Sequence, residues 1–169
     1  MKWENNRVLL NLKKGASGIA YRDGNKLKGK EKQSKLKRAW EYFCNDSYWL
    51  AAPYKIYDPG VERKIMEFED GSKGLWVTHT TGGETPGDTY VWRLSENGLP
   101  QSYRIWASVI PIGGLKASWE GWKTVSTGAE LATEHRYSFF QFSVTDLKAG
   151  MEMEDVTERK NVFQPINIE

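Results

Sequence analysis

Three turn-forming dipeptides constrain the fold of this chain more than any other feature. Asp23-Gly24, Asp70-Gly71 and Asn97-Gly98 lie between runs in which apolar and polar side chains alternate. Such steps are a strong hairpin signal, because Gly, Asn and Asp tolerate the positive φ angles that tight turns require. The strands are therefore predicted to pair with their sequence neighbours, in an antiparallel meander.

The alternation predicts about eight strands and a mainly β (α+β) fold class, built as a curved antiparallel sheet. The predicted strand ranges are 3–12 and 17–22 for the first hairpin, 61–69 and 74–81 for the second, 89–95 and 101–110 for the third, and then 117–125 and 133–144. Tyr90, Trp92 and Leu94 share one face of their strand in this scheme.

One segment has helical periodicity instead. From residue 30 to about residue 46, apolar side chains recur at Leu36, Ala39, Trp40 and Phe43. This is the i, i+3, i+4, i+7 spacing of an amphipathic helix. We expect the helix to lie across the concave face of the sheet with Trp40 and Phe43 buried.

The first half of this segment belongs to the most basic stretch of the chain. Residues 22–38 hold eight Lys or Arg against Asp23 and Glu31, an excess of +6 that leaves −4 for the rest of the chain. The basic run from Lys26 to Arg38 is either a solvated helix face or a contact for an anionic membrane surface, because clustered lysines attract counter-charge. Nucleic acid is not expected as a partner, since the sequence contains no recognisable nucleic-acid-binding module.

Length and cysteine content limit the domain plan and the cofactors. The 169 residues are predicted to form one domain over 1–145, followed by a tail over 146–169 that begins with a short helical turn. Cys44 is the only cysteine, so no intrachain disulfide is expected, and two histidines supply no zinc-ligand spacing. No metal or cofactor is predicted. The first residues lack the apolar core of a signal peptide, and no apolar run reaches membrane-spanning length.

No catalytic motif is recognisable. His79 and His135 both fall on predicted strands outside any nucleophile or metal motif, and they are interpreted as structural strand histidines. A glycosidase-type carboxylate pair remains open, because its two acids come from anywhere in a chain. The acids nearest to aromatic residues are Asp46, Asp58, Glu62, Asp88 and Glu120.

The aromatic residues are the most informative pattern. Eight Trp, eight Tyr and six Phe occur, and they fall on both faces of several predicted strands. A sheet with one solvated face alternates apolar and polar residues, so two aromatic faces indicate that both are covered or that one lines a cavity. An apolar groove for a lipid-like ligand, a sugar-stacking platform and a filled two-sided core all fit. The predicted groove lining is Trp40, Phe43, Trp76, Tyr90, Trp92, Leu94 and Trp106.

Several short motifs carry a family resemblance. A strand, an Asp-Gly turn, a second strand and a Lys-rich helix lead into WEYFCNDSYWL at 40–50, followed by PGVER at 59–63, PGDTY at 86–90 and GLP at 98–100. Over about residues 3–137 this resembles a group of uncharacterised bacterial envelope proteins related to the outer-membrane lipoprotein-sorting carriers, the LolA-like and LolB-like superfamily.

The resemblance implies an unclosed, half β-barrel whose concave apolar face is partly plugged by helices and accepts acyl chains. It also implies a location in the cell envelope and a non-enzymatic binding or carrier role. Relatives begin with a lipidation or secretion signal, a helix and further strands, so by this resemblance the chain starts at what corresponds to their middle. The alternatives are a structural or interaction domain with a filled core, and a carbohydrate-binding module or sugar-active enzyme.

Overall fold

The computed structural model describes residues 1–108, 110–158, 162–163 and 166. In these residues the chain is mainly antiparallel β-sheet with one long helix, which confirms the predicted fold class at that level. It divides into two compact units, unit 1 formed by Met1–Ser47 with Glu152–Glu169, and unit 2 formed by Tyr48–Met151. The sequence predicts a single domain over residues 1–145.

Unit 1 contains a small antiparallel sheet of four strands in sequence order. Its strands are β1 (Lys2–Trp3), β2 (Asn6–Leu10), β3 (Gly18–Arg22) and β4 (Asn25–Lys26), with a 3-10 helix at Leu12–Lys14 between β2 and β3. The first predicted hairpin is confirmed by the β2–β3 pairing. Asp23 and Gly24, with φ of 49° and 81°, form the turn that leads from β3 into β4.

The long helix α1 runs from Gly29 to Ala51. Within unit 1 it buries Leu36 and Ala39 against Val8 and Ala20 of the small sheet. Strands of five residues span about 17 Å, whereas a helix of this length extends over about 34 Å, so the sheet covers only part of the helix. The prediction that Trp40 and Phe43 are buried is wrong, because both are half-buried and pack on each other with ring centroids 5.8 Å apart.

The tail contributes one short element. A single helical turn, α2, forms at Met153–Val156, as predicted for the start of the tail. Its capping box is complete, with the Glu152 side chain accepting from the Asp155 backbone and the Asp155 side chain accepting from the Glu152 backbone. Such reciprocal capping satisfies two of the backbone N–H groups that a helix start leaves free.

Unit 2 contains a five-stranded antiparallel sheet in meander order. The strands are β5 (Val61–Glu67), β6 (Lys73–His79), β7 (Thr89–Leu94), β8 (Pro100–Trp106) and β9 (Leu115–Ser118). The second and third predicted hairpins are confirmed, with Asp70-Gly71 joining β5 to β6 and Asn97-Gly98 joining β7 to β8. Residue 109, near the end of the predicted strand 101–110, lies outside the described residues.

A second, three-stranded sheet of unit 2 continues from the first. It comprises β10 (Glu120–Thr124), β11 (Glu130–Arg136) and β12 (Gln141–Ser143). The single strand predicted at 117–125 is interrupted at Trp119, where the chain leaves β8 as a partner and pairs with β11 instead. Within unit 2 the described residues thus form two sheets in place of one continuous meander, because the pairing partner changes at Trp119.

The core of unit 2 lies on one face of the five-stranded sheet. Antiparallel partners point to the same side, so the pairs Tyr90 with Ile105 and Trp92 with Tyr103 define that face. Ala117 and Trp119 extend it, and Ala132 and Tyr137 add to it from the second sheet. Residues from Tyr48 onward, at the end of α1 and in the 3-10 helix Ala52–Lys55, pack against this face.

Candidate functional site

The clearest candidate site is a layer of rings that we call the aromatic interior. It consists of Tyr48, Trp49, Tyr90, Trp92, Tyr103 and Trp119. Tyr48 stacks on Tyr90 with ring centroids 4.3 Å apart, and Trp49 lies 5.7 Å from Tyr103. On the sheet itself, Trp119 contacts Trp92 at 5.0 Å and Tyr103 at 5.2 Å. The end of α1 therefore covers the aromatic face of the sheet with two rings of its own.

Three of the predicted lining residues lie at this site. Tyr90 and Trp92 belong to the aromatic interior and are 8% and 2% exposed, and half-buried Leu94 packs against the same core. The bulge between Arg93 and Leu94 shifts the register there without moving Leu94 away from the core. The prediction that Tyr90, Trp92 and Leu94 lie together on the inner face of this strand is therefore correct.

Two predicted residues lie on the opposite face of the sheet. Trp106 pairs with Thr89, and Trp76 pairs with Val91, so both are on the side away from Tyr90 and Trp92. Trp106 is 43% exposed. The prediction that Trp106 shares a face with Tyr90 is wrong, because alternation fixes the faces within one strand but not the register between two strands.

The remaining two predicted residues, Trp40 and Phe43, lie in unit 1, whereas the helix residues that cover the sheet in unit 2 are Tyr48 and Trp49. Sequence reasoning missed this pair. The available signal was the apolar run Tyr48-Trp49-Leu50, which directly follows the segment that showed the helical spacing.

Several polar atoms in the aromatic interior have no hydrogen-bond partner among the described residues. They are the Tyr48 hydroxyl, Trp92 Nε1, and the Nε2 atoms of His79 and His135, which lie at its edge. Trp92 Nε1 interacts with the Tyr48 hydroxyl as a weak hydrogen-bond donor, but the two do not meet the geometry of a normal hydrogen bond. Each buried polar atom left unpaired costs about 1–3 kcal/mol, and a ligand or water that pairs it recovers this cost.

Other polar groups of this region are paired. Trp119 Nε1 donates to the Trp49 carbonyl at 3.2 Å, and the hydroxyls of Tyr103 and Tyr137 are 2.8 Å apart. The Nδ1 atom of His135 lies 3.3 Å from the Ser118 carbonyl, which assigns it the proton. These bonds tie the end of α1 and the second sheet to the first.

The titratable groups of the interior are neutral at pH 7. Burial raises the pKa of Tyr48 well above its ordinary value and the pKa of Tyr137 to about 12. Burial also lowers the pKa of His79 and that of His135, which both lie on strands as predicted. The interior therefore presents rings and neutral dipoles, which suits an apolar ligand with a small polar group.

Three of the five candidate carboxylates are engaged by other residues. Asp58 bonds to Lys55 at 2.9 Å, and Glu120 lies 3.6 Å from Arg136. Buried Asp88 accepts from Thr85 and from the Ser108 backbone. Glu62 is exposed on β5, and Asp46 lies in unit 1. No group of three or more His, Cys, Asp or Glu side chains suited to a metal ion occurs in the part of the chain that the structure describes.

A second candidate surface lies in unit 1. Lys26, Lys28 and Lys30 are exposed around the start of α1, where a depression of about 730 Å³ is lined by residues 26–30, Lys32 and Gln33. Two acids offset the basic run, with Glu31 bonded to Arg22 at 2.5 Å and Glu41 to Arg38 at 3.2 Å. None of the described helices is long and apolar enough to span a membrane.

The fold and the site together define a class, an antiparallel β protein with one main helix and an aromatic interior in unit 2. Neither a protein-family model, nor a curated protein, nor a solved structure matches this chain.

Proposed function

We propose that unit 2 is a non-enzymatic binding domain of the carrier type for a lipid-like or other apolar ligand. The observation that carries the proposal is the cover of the aromatic interior, where Tyr48 and Trp49 are placed over the sheet and polar atoms remain unpaired. A ligand with an apolar body and a small polar group would take the place of the two rings and pair some of those atoms.

We also propose that unit 2 is an unclosed half-barrel with the aromatic interior on its concave face. At Trp119 the chain passes from the five-stranded sheet to the three-stranded sheet, and this change of pairing partner supports the half-barrel. A half-barrel plugged by a helix end, and a place in the bacterial cell envelope, are also what the family resemblance implies.

A neutral fluorescent probe tests the proposal. N-phenyl-1-naphthylamine should bind the wild-type protein and be displaced by a long-chain fatty acid. Tyr48→Ala removes one ring of the cover and should increase probe binding, whereas Tyr57→Ala is the matched control because that ring is 76% exposed. Mass spectrometry of molecules extracted from the purified protein identifies a bound natural ligand. Absence of probe binding in both wild type and Tyr48→Ala would contradict the proposal.

A filled structural or interaction domain is the second candidate, and a specific observation favours it. Trp92, Tyr103 and Trp119 are each 1–2% exposed, which is the burial of core residues. In this case Tyr48→Ala should lower the free energy of unfolding by about 3–5 kcal/mol, as other large-to-small core substitutions do. The variant protein should bind no probe. Thermal unfolding of the variant used for the probe titration separates the two functions.

The basic run is proposed as a contact for an anionic membrane surface. Each lysine near such a surface contributes about 1 kcal/mol, and the contribution falls within a Debye length. Vesicles containing phosphatidylglycerol should therefore bind the protein at low salt and release it at high salt. Changing Lys28 and Lys30 to Gln should weaken this binding, while equal binding to uncharged phosphatidylcholine vesicles would contradict the role.

A further inference from the structure

The outer face of the five-stranded sheet, opposite the aromatic interior, combines an exposed indole with positive charge. The cross-strand pairs Trp76 with Val91, Val91 with Arg104, and Arg104 with Lys116 form one row across it. Trp106 lies on the same face, two residues from Arg104 along β8. This face has no role in the proposed carrier function.

Trp106 is held in place by glycine backbone. A Cβ atom added at Gly113 would lie 2.8 Å from Trp106 Cδ1, and one added at Gly114 would lie 3.3 Å from Cζ2. The Nε1 side of the indole therefore rests against the Gly113-Gly114 step, which only glycine permits. The rest of the ring is open to solvent, with 43% of the residue exposed. Because this half-exposed indole is already held in one orientation, a ligand that stacks on it causes little further loss of side-chain entropy.

Arg104 is fixed beside this ring. Its guanidinium donates to the Gly114 carbonyl at 3.1 Å, the same glycine that supports Trp106. That bond uses one of the five N–H donors of the guanidinium, and the side chain remains exposed. The remaining donors are available to a carboxylate, which guanidinium groups bind in a bidentate manner.

The charges around Arg104 are unfavourable unless an anion binds. Arg104 and Lys116 are direct cross-strand partners, an arrangement in which like charges destabilise a sheet. Among the described residues neither forms an ion pair. Lys64, the partner of Trp76, adds a third cation to the row. Two acids reach this face: Asp70 is already bonded to Arg93 at 2.6 Å, and Glu62 lies on the edge strand β5, three strands away from Arg104.

We propose that this face is a binding site for an acidic carbohydrate, a chain containing uronic acid residues. The C–H face of a pyranose ring packs on the open part of Trp106, and Arg104 with Lys116 binds the carboxylate. Thr89 lies directly opposite Trp106 and is bonded to Thr78 at 2.6 Å, so neutral hydroxyls flank the ring where sugar hydroxyls would lie. A nucleic acid is less well matched, because it needs several stacking rings along a continuous basic track.

Binding of polygalacturonate, followed by isothermal titration calorimetry, tests the site. The wild-type protein should bind it, and the neutral polymer dextran should not bind. Trp106→Ala and Arg104→Gln should each weaken binding by at least about tenfold, the change expected for one good contact. Tyr57→Ala, which removes another exposed ring of unit 2, should bind as wild type does. Circular dichroism melts verify that each variant is folded.

Four results would overturn the proposal. They are no binding of polygalacturonate, equal binding of dextran, an equal loss with Tyr57→Ala, and tighter binding of a single-stranded oligonucleotide. A loss on changing Lys28 and Lys30 to Gln, without a loss in Trp106→Ala, would assign the binding to the basic run of unit 1 instead. Because the site lies on the opposite sheet face from the aromatic interior, its failure leaves the probe and lipid results of the carrier proposal unchanged.

Discussion

The hydroxyl oxygens of Tyr103 and Tyr137 lie 2.8 Å apart in the buried region between the two sheets of unit 2. Tyr137→Phe removes one partner and leaves the Tyr103 hydroxyl buried, with 1% of that residue exposed. An unsatisfied buried hydroxyl costs about 1–3 kcal/mol, and we expect this loss in the free energy of unfolding. Replacing both tyrosines by Phe should cost less than the sum of the single changes. Urea unfolding measures this coupling, and strictly additive losses would contradict it.

Stability is expected to fall at alkaline pH. Burial raises the pKa of Tyr137 to about 12 and raises the pKa of Tyr48 and of Tyr103. In the unfolded chain these groups ionise near pH 10, so between about pH 10 and 12 the folded state holds more protons and stability decreases as pH rises. Urea unfolding at pH 8, 10 and 11 should show the decrease. The Tyr103→Phe, Tyr137→Phe double variant should show a smaller slope, and an unchanged slope would exclude these tyrosines as its source.

Much of the fold could be predicted because turn chemistry acts locally. Asp70-Gly71 and Asn97-Gly98 need only their own backbone preferences to join neighbouring strands, and each lies in the loop that joins the expected pair of strands. The change of pairing partner at Trp119 could not be predicted in this way. It depends on which partner strand the chain meets on each side of that residue, and such contacts are remote in sequence.

The candidate site was only partly predictable, for a related reason. Alternation places Tyr90 and Trp92 together, but the face of Trp106 depends on which residue of β7 it pairs with. The helix residues that cover the sheet of unit 2 are Tyr48 and Trp49, at the end of α1, and spacing within the helix does not single them out. Register and packing between elements are decided by tertiary contacts that spacing within one segment does not contain.

Acid should also destabilise the protein, through its two histidines. Burial lowers the pKa of His79 and of His135, so both stay neutral in the folded state. The unfolded chain takes up these protons near pH 6.5, and the stability contributed by the neutral rings is lost as pH falls below that value. Thermal melts between pH 7.5 and 5 should show it. His135→Phe keeps a ring against Phe142, with which His135 stacks at 4.8 Å, and should flatten the dependence. A profile equal to wild type would contradict the assignment.

The last prediction concerns Gly121, which lies in β10, two residues after Trp119. Its φ is +63°, and its carbonyl accepts from Thr133 Oγ1 at 2.8 Å. A Cβ atom there would lie 2.9 Å from that same Oγ1 and 3.0 Å from Glu134 Cγ. Gly121→Ala therefore places a non-glycine residue at positive φ, which strains the backbone. It also brings the new Cβ atom into collision with Thr133, which is 2% exposed and cannot move away.

Gly128 supplies the matched control. Its φ is +82°, but nothing lies within 4 Å of an added Cβ atom, so Gly128→Ala should cost only the backbone strain, about 1–2 kcal/mol. Gly121→Ala should cost about 1–3 kcal/mol more, the usual range for an overpacked site. In a Thr133→Ala background this extra loss should shrink, because the obstructing hydroxyl is gone and exposed Glu134 can rotate away. Chemical unfolding measures the loss of stability in four variants, Gly121→Ala, Gly128→Ala, Thr133→Ala and the double variant Gly121→Ala, Thr133→Ala. Equal losses for Gly121→Ala and Gly128→Ala would show that residue 121 tolerates a side chain.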